Sequence, residues 1–307
     1  MTPASLLDLL LQPASPDHSG DLRGFLKQWG PGTPVSSSAF ERLVQVALRA
    51  DGRLKAGSAG HQSAIRRLFP ATPDDAITAF CVSEDQGPKP SGILATLTPK
   101  GDGFVLNGRK RWGSMSPLAD LLYIAASIGQ KDGRNQLRMV KVATGSAGLS
   151  LDSSGYGAYV GHMPIADLTL TDIAVQASDV IEADAYEAFI KPFRLVEDVY
   201  NTAGTQIGLL TLGRIHGWPQ ELLEDLIGLI VQAHAISQTP MARPADVLLM
   251  SAYFRASSAL WDRLGAAWDL VPEAERAAWS PQTGTLGVAA RARETRRQQA
   301  WASFQVA

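Results

Sequence analysis

The sequence predicts an α+β protein built in three stretches: N-terminal helices, a middle antiparallel β-barrel or sandwich, and a C-terminal helical bundle. Three observations predict it. Apolar residues recur at spacings of three and four over about residues 1–78 and again over 181–307, which is helical periodicity. Over 79–180, short apolar or alternating runs are separated by turn signals, the pattern of closely spaced strands. A chain of 307 residues, 45% hydrophobic, is also long enough for about two domain-sized cores.

In the first stretch, Leu6, Leu7, Leu9, Leu10 and Leu11 open a helix that Pro13-Ala14-Ser15-Pro16 breaks. Phe40, Leu43, Val44, Val46 and Ala47 trace one buried stripe. Gly57-Ser58-Ala59-Gly60-His61 is expected as a flexible bend before a short helix from Gln62 to Leu68, ended by Pro70 and Pro73.

In the second stretch, strands are expected over 79–83, 92–98, 103–106, 121–127, 136–143 and 165–175. Turn signals bound them: Gly101-Asp102-Gly103, Asn107-Gly108, Asp132-Gly133 and Gly145 through Gly148. Asn107-Gly108 is the strongest, because a type I′ turn needs positive φ at both central residues. The apolar phase switches from Leu137 and Met139 to Val140 and Val142, which predicts either a bulge or a strand buried on both faces.

In the third stretch, Leu195, Val199, Ala203, Gln206, Leu210 and Gly213 lie on one face of a long helix ending near Gly217-Trp218-Pro219. Leu222 through Val231 form a second helix, and Pro244 starts a third that runs through Leu260 to about Leu270. Trp261, Trp268, Trp279 and Trp301 crowd the end of the chain, as core packing or as a C-terminal dimer interface.

Composition excludes several function classes. Basic and acidic residues number 28 and 30 and are interspersed, so the net charge of −2 carries no nucleic-acid or membrane footprint. Arg291, Arg293, Arg296 and Arg297 against Glu294 form the one local basic excess, read as a solvated helix face. The single cysteine, Cys81, cannot form an intramolecular disulfide and fits a reducing compartment. No run approaches the ~20 apolar residues of a membrane span, and the N-terminus lacks a cationic signal region. A soluble, cytoplasmic protein is expected. The five histidines are scattered without partners at i+4, so no metal site is expected. Gly155-x-Gly157-x-x-x-Gly161 has the wrong last spacing for a dinucleotide loop and precedes a strand instead of a helix.

One block is more specific. Ala79-Phe80-Cys81-Val82-Ser83-Glu84 is followed by Thr96, by Gly101 through Ser114 (with Leu106-Asn107-Gly108-Arg109-Lys110-Arg111-Trp112-Gly113-Ser114), and by Ala119-Asp120. This resembles the middle β-domain of the acyl-CoA dehydrogenase superfamily, where an aromatic precedes C-x-T-E, then G-x-x-L-N-G-x-K-x-W-I-T, then A-D. The resemblance is strong over about 79–128, weaker to 216 and architectural elsewhere, as of a shortened, divergent member. It implies three domains, 1–78, 79–180 and 181–307. It also implies an FAD cofactor held by Phe80, Val82, Ser83, Trp112 and Ser114. An isoalloxazine ring needs a flat apolar neighbour and uncharged donors at its polar edges, which a Trp, backbone N–H groups and hydroxyls provide. Strand capping and core packing are the alternative roles of these five. Asn107, Gly108 and Lys110 read as hairpin structure.

The implied reaction is α,β-dehydrogenation of an acyl-CoA thioester, with electrons passed to an electron-transferring flavoprotein and the chain assembled as a homodimer or homotetramer. The sequence departs from the family pattern in three places. Gln86-Gly87-Pro88-Lys89-Pro90-Ser91 replaces a glycine-rich G-S-D segment, the C-terminal Q-x-x-G-G-x-G stretch is missing, and so is the late Y-E-G loop, whose letters Tyr186-Glu187-Ala188 copy at the wrong place. A minority of the family carries the base on the first long C-terminal helix. Glu197 and Asp198 stand there at about that spacing before Gly204 and Gly208, and only one of them can face a given direction. A solvated or Arg194-paired acidic pair near a helix N-terminus is the other reading. Two alternatives to dehydrogenation keep the fold: a catalytically degenerate subunit of a heteromeric dehydrogenase (or a non-catalytic acyl-CoA or flavin-binding protein), and a flavin-dependent monooxygenase.

Overall fold

The computed structural model describes residues 2–13, 15–27, 38–159, 163–279 and 286–304. They fall into two compact units, one of Met1–Arg67 with Leu195–Ala307 and one of Leu68–Arg194.

The second unit holds one sheet of eight strands: β1 (Thr78–Cys81), β2 (Thr96–Lys100), β3 (Gly103–Ser114), β4 (Leu121–Lys131), β5 (Arg134–Ala143), β6 (Leu149–Asp152), β7 (Ile165–Gln176) and β8 (Val180–Ile181). The order is β6-β7-β3-β2-β4-β5-β8, with β1 on β4. The sheet is mixed, not antiparallel throughout as expected: β1 and β2 both pair with β4 in parallel. Only strands joined by tight turns must run antiparallel, and the long connections from β1 and β2 to β4 allow a return in the same direction. Ala79, Leu106, Leu122, Ile124, Val140 and Leu168 are buried in its core.

One turn reading needs correction. Asn107-Gly108 is not a hairpin turn but lies inside β3, at a register shift against β7. The Asn107 side chain is spent across the ladder, donating to Asp172 Oδ1 at 3.0 Å and accepting from its N–H at 2.8 Å. Gly108 has φ 139°, and a Cβ there would stand 2.6 Å from Ala95 Cα, so this glycine serves a bulge and a close approach. The β2–β3 turn uses Gly101 instead, at φ 60°. Asp132 (φ 51°) and Gly133 (φ 72°) supply the paired positive φ values of the β4–β5 turn. Along β5 the register with β4 is continuous from Ala143 to Leu137, and Met139 and Val140 are both buried, so the strand is buried on both faces and carries no bulge there.

The first unit is helical: α1 (Pro3–Leu10), α2 (Leu22–Lys27), α3 (Ala39–Ala47), α4 (Arg53–Leu68), α5 (Lys191–Ile215, in this unit from Leu195), α6 (Gln220–Ser237), α7 (Pro244–Arg263), α8 (Glu273–Trp279) and α9 (Leu286–Ala302). Ser38 caps α3 by accepting from the Glu41 N–H at 3.2 Å. The expected α7 is shorter than Leu270, because the chain turns into a 3₁₀ segment over Gly265–Leu270.

The flexible bend expected at Gly57–His61 is absent; α4 runs straight through it. The physical reason is packing. A Cβ on Gly60 would stand 2.6 Å from Asn201 Cα, and one on Gly204 would stand 2.5 Å from the Ala56 carbonyl oxygen. Each helix supplies a glycine where the other's backbone presses closest, so these glycines are contact surface for an antiparallel crossing of α4 and α5. Trp279 is fully buried and lies on Gly208, while Trp268 meets Trp218 edge-on at 5.3 Å and stacks on Trp261 at 6.1 Å. Trp301 alone of the four C-terminal tryptophans is exposed, at 52%. Among the described residues, no helix is long and apolar enough to cross a membrane.

Candidate functional site

In the β unit, the two halves of the sequence block meet through a buried ion pair. Lys110 projects from β3 with its side chain fully buried, its Nζ 2.7 Å from Glu84 Oε1 and 3.2 Å from the Val82 carbonyl oxygen. Glu84 also accepts from the N–H groups of Leu94 and Ala95 at 2.8 and 3.1 Å. Burial pulls the Lys110 ammonium below the ordinary lysine range, and the Glu84 charge beside it opposes that shift. The pair ties the segment after β1 to β3, and the Arg111 N–H donates to the Ser83 carbonyl at 2.8 Å. Val82 and Ser83 are thereby held against Lys110 and Arg111, the two residues of β3 that precede Trp112.

The five side chains differ. Val82 is buried, so it offers neighbours mainly its backbone. Phe80 is half-buried, with its ring 4.2 Å from that of Phe193 and 6.0 Å from that of Phe69. Ser83 and Ser114 are half-buried hydroxyls. Trp112 stands apart: it is 46% exposed and sits at φ 57°, between the Lys110 and Gly113 pairings where the register of β3 shifts. A bulky residue in the left-handed region is strained and persists only where its surroundings over-determine it. Here they do. The Trp112 N–H is shared between Tyr156 Oη and Asp167 Oδ1, each at 3.3 Å, and Tyr156 Oη is itself hydrogen-bonded to that carboxylate. Arg111 pairs with Asp167 at 3.2 Å and with Asp85 at 2.9 Å, and its guanidinium lies 5.0 Å from the Trp112 ring centroid. Burial and the Asp167 carboxylate raise the Tyr156 phenol above its ordinary value.

Tyr156 lies in the 3₁₀ turn Ser154–Tyr159, so the glycine stretch that begins at Gly155 opens no α-helix; Gly161 and His162 lie outside the described residues. Tyr186 and Glu187 fall in a π-helical turn, with Glu187 exposed and paired to Lys191 at 2.8 Å, which is a solvated surface pair.

In the helical unit, Glu197 and Asp198 point to different partners, as adjacent helical residues about 100° apart must. Glu197 Oε1 lies 2.8 Å from His61 Nδ1 of α4; the histidine side chain is 3% exposed and the glutamate 20%. Asp198 Oδ2 lies 3.4 Å from Arg293 Nε of α9, whose guanidinium carbon stands 4.5 Å from the Phe254 ring centroid. Arg293 is therefore not part of a solvated face as expected, whereas Arg297 pairs with Glu294 at 2.6 Å on the surface; the Arg291 side chain lies outside the described residues. Sequence reasoning missed His61, since the pairing spans 136 positions and has no local signature. It also missed Tyr156 and Asp167 as the supports of Trp112. Among the described residues no cluster of three or more His, Cys, Asp or Glu is placed to hold a metal ion.

No family model matches the chain. A Mycobacterium tuberculosis protein described as probable acyl-CoA dehydrogenase FadE10 is 28% identical over 139 residues, which is 39% of this chain; the chain spans 21% of that relative's length. An acyl-CoA dehydrogenase from Geobacillus kaustophilus superposes with a TM-score of 0.58 at 14% identity, covering 97% of this chain and 96% of the other. FMN-bound TdsC from Paenibacillus sp. A11-2 superposes with a TM-score of 0.56 at 12% identity, covering 86% and 79%.

Proposed function

Because this chain has the acyl-CoA dehydrogenase fold in a divergent form, we propose that it is a flavin-dependent oxidoreductase that dehydrogenates an acyl-CoA thioester between its α and β carbons. The observation that carries the flavin assignment is Trp112. A large aromatic face is held half in water, in a strained backbone, by a dedicated set of polar contacts, which is an arrangement that a flat apolar ligand would repay. The residues present fit FAD. The Trp112 indole offers the face, the hydroxyls of Ser83 and Ser114 and the nearby backbone offer uncharged polar partners, and Val82 and Phe80 wall the strand behind them. When bound, the flavin supplies the two-electron acceptor for the β-hydride.

Glu197 takes the α-proton. Both carboxylates are mostly removed from water, but Glu197 is held by an imidazole, whereas the charge of Asp198 is already balanced by a guanidinium. Glu197 is thus the better general base of the two. Electrons leave to an electron-transferring flavoprotein, and the chain assembles as a homodimer or homotetramer, to be checked by light scattering at micromolar concentration. A second reading keeps the same fold and is flavin-dependent monooxygenation, with free reduced flavin as a substrate; a neighbour of that fold, TdsC, is FMN-bound.

The test is an absorption spectrum of protein purified without added flavin, followed by anaerobic bleaching with butanoyl-CoA and longer acyl-CoA thioesters. Retained FAD, with bleaching that Glu197→Gln slows at least ~100-fold and Asp198→Asn leaves within a few-fold, is the expected result. Failure to take up FAD or FMN moves the reading to a degenerate subunit. Oxygen-dependent substrate loss without bleaching moves it to monooxygenation.

A further inference from the structure

Resting on the reading of Glu197 as the base, we propose that His61 is its positioning residue: the imidazole carries its proton on Nδ1 and donates it to Glu197 Oε1, which fixes the carboxylate and leaves Oε2 as the oxygen that accepts the substrate proton.

The geometry follows from the helix crossing. Gly60 admits the backbone of α5 at Asn201, and Gly204 admits that of α4 at Ala56, so four residues along one helix match about one turn, in reverse, along the other. Glu197 precedes Asn201 by four residues and so lies on the same face of α5, one turn earlier. His61 follows Gly60 directly. The closest point of the crossing thus delivers the imidazole to the carboxylate, at 2.8 Å.

Chemistry sets the direction of the bond. A carboxylate oxygen without a proton only accepts, so the imidazole nitrogen that faces it, Nδ1, is the one that carries the proton. A glutamate has three rotatable side-chain bonds, and a base must sit within hydrogen-bond reach of the carbon acid it deprotonates. Holding Oε1 from a histidine that is itself 3% exposed removes that freedom before substrate arrives. His61 touches neither substrate nor flavin in this scheme and acts only through Glu197.

The experiment uses full-length protein labelled with ¹⁵N-histidine, which gives five imidazole systems to resolve. His61→Asn identifies the His61 signals by their loss. In wild type, the His61 proton is expected on Nδ1, and Glu197→Ala is expected to shift its signals. An Nε2–H tautomer, or signals that Glu197→Ala leaves in place, would overturn the positioning role without reference to turnover. Kinetics with an acyl-CoA that bleaches the wild type give a second readout. His61→Leu should lower kcat by about 10- to 100-fold at unchanged KM, and His61→Asn, which keeps a side-chain N–H donor, should recover most of the loss. If Glu197→Gln abolishes turnover while His61→Leu does not, the positioning role fails and the base stands. If Glu197→Gln keeps turnover, the base assignment itself fails.

Discussion

Lys110 Nζ and Glu84 Oε1 lie 2.7 Å apart, with the lysine side chain wholly withdrawn from solvent. Two positions 26 residues apart in sequence thereby pin the segment after β1 to the middle of β3. Removing one partner strands the other: Glu84→Ala should destabilise the protein by about 3–5 kcal/mol, more than a surface pair could account for. Lys110→Met combined with Glu84→Ala should cost clearly less than the sum of those two single changes. Urea unfolding of the four proteins in a double-mutant cycle measures the coupling.

The same lysine predicts a pH dependence. Its folded pKa is depressed below 10.5, chiefly by burial, so in the window below 10.5 the unfolded chain binds more protons at this site than the folded one. Its contribution to stability is therefore greatest above the unfolded value and is lost as pH falls towards the depressed folded value. Glu84→Gln removes the charge that opposes the depression and should widen that window. Unfolding midpoints from pH 8 to 10.5 are expected to climb more steeply in Glu84→Gln than in wild type, and parallel slopes would contradict the assignment.

Trp112 should show stability and binding moving in opposite directions. Glycine adopts φ 57° without penalty, so Trp112→Gly relieves strain of about 1 kcal/mol or more while deleting the exposed indole. A thermal midpoint equal to or above that of wild type, with FAD affinity reduced at least ~10-fold by fluorescence titration, is expected. Tyr156→Phe removes one acceptor of the Trp112 N–H and should weaken FAD binding less, with a stability loss of about 1 kcal/mol.

The two kinds of glycine in the helical unit are separable by substitution. Nothing stands within 4 Å of a Cβ built on Gly57, in the interior of α4, so Gly57→Ala should stabilise by about 0.5–1 kcal/mol. Gly204→Ala places a methyl group 2.5 Å from the Ala56 carbonyl oxygen and should destabilise by at least about 1–3 kcal/mol. Chemical denaturation of both variants decides the signs.

The succession of helical, β-rich and helical stretches was legible in the sequence, because apolar periodicity reports which face of an element is buried. The motif around Cys81–Glu84 and Leu106–Ser114 was legible too, and its members Glu84 and Lys110 prove to touch each other. Two local signals misled for one reason. Asn107-Gly108 reads as a turn and Gly57–His61 as a bend, yet Gly108 and Gly60 are glycines because another backbone arrives there. A sequence shows that a side chain is missing but not whether the purpose is a positive φ or room for a neighbour. The pairings of Glu197 with His61 and of Asp198 with Arg293 were illegible, since helix crossing brings together positions with no shared local pattern.

The crossing at Gly60 has a consequence for how mutational data on this protein should be read. A position with no functional group holds the neighbouring imidazole within reach of a carboxylate, so widening the crossing by one methyl group withdraws His61 from Glu197 while leaving both residues in the sequence. If Glu197 is the base, as proposed, a saturation screen scored on turnover would therefore rank Gly60 alongside Glu197 and His61. A screen scored on abundance would rank it with the helix interior, and the gap between the two scores would measure how much of the chemistry is held in the spacing between two helix axes.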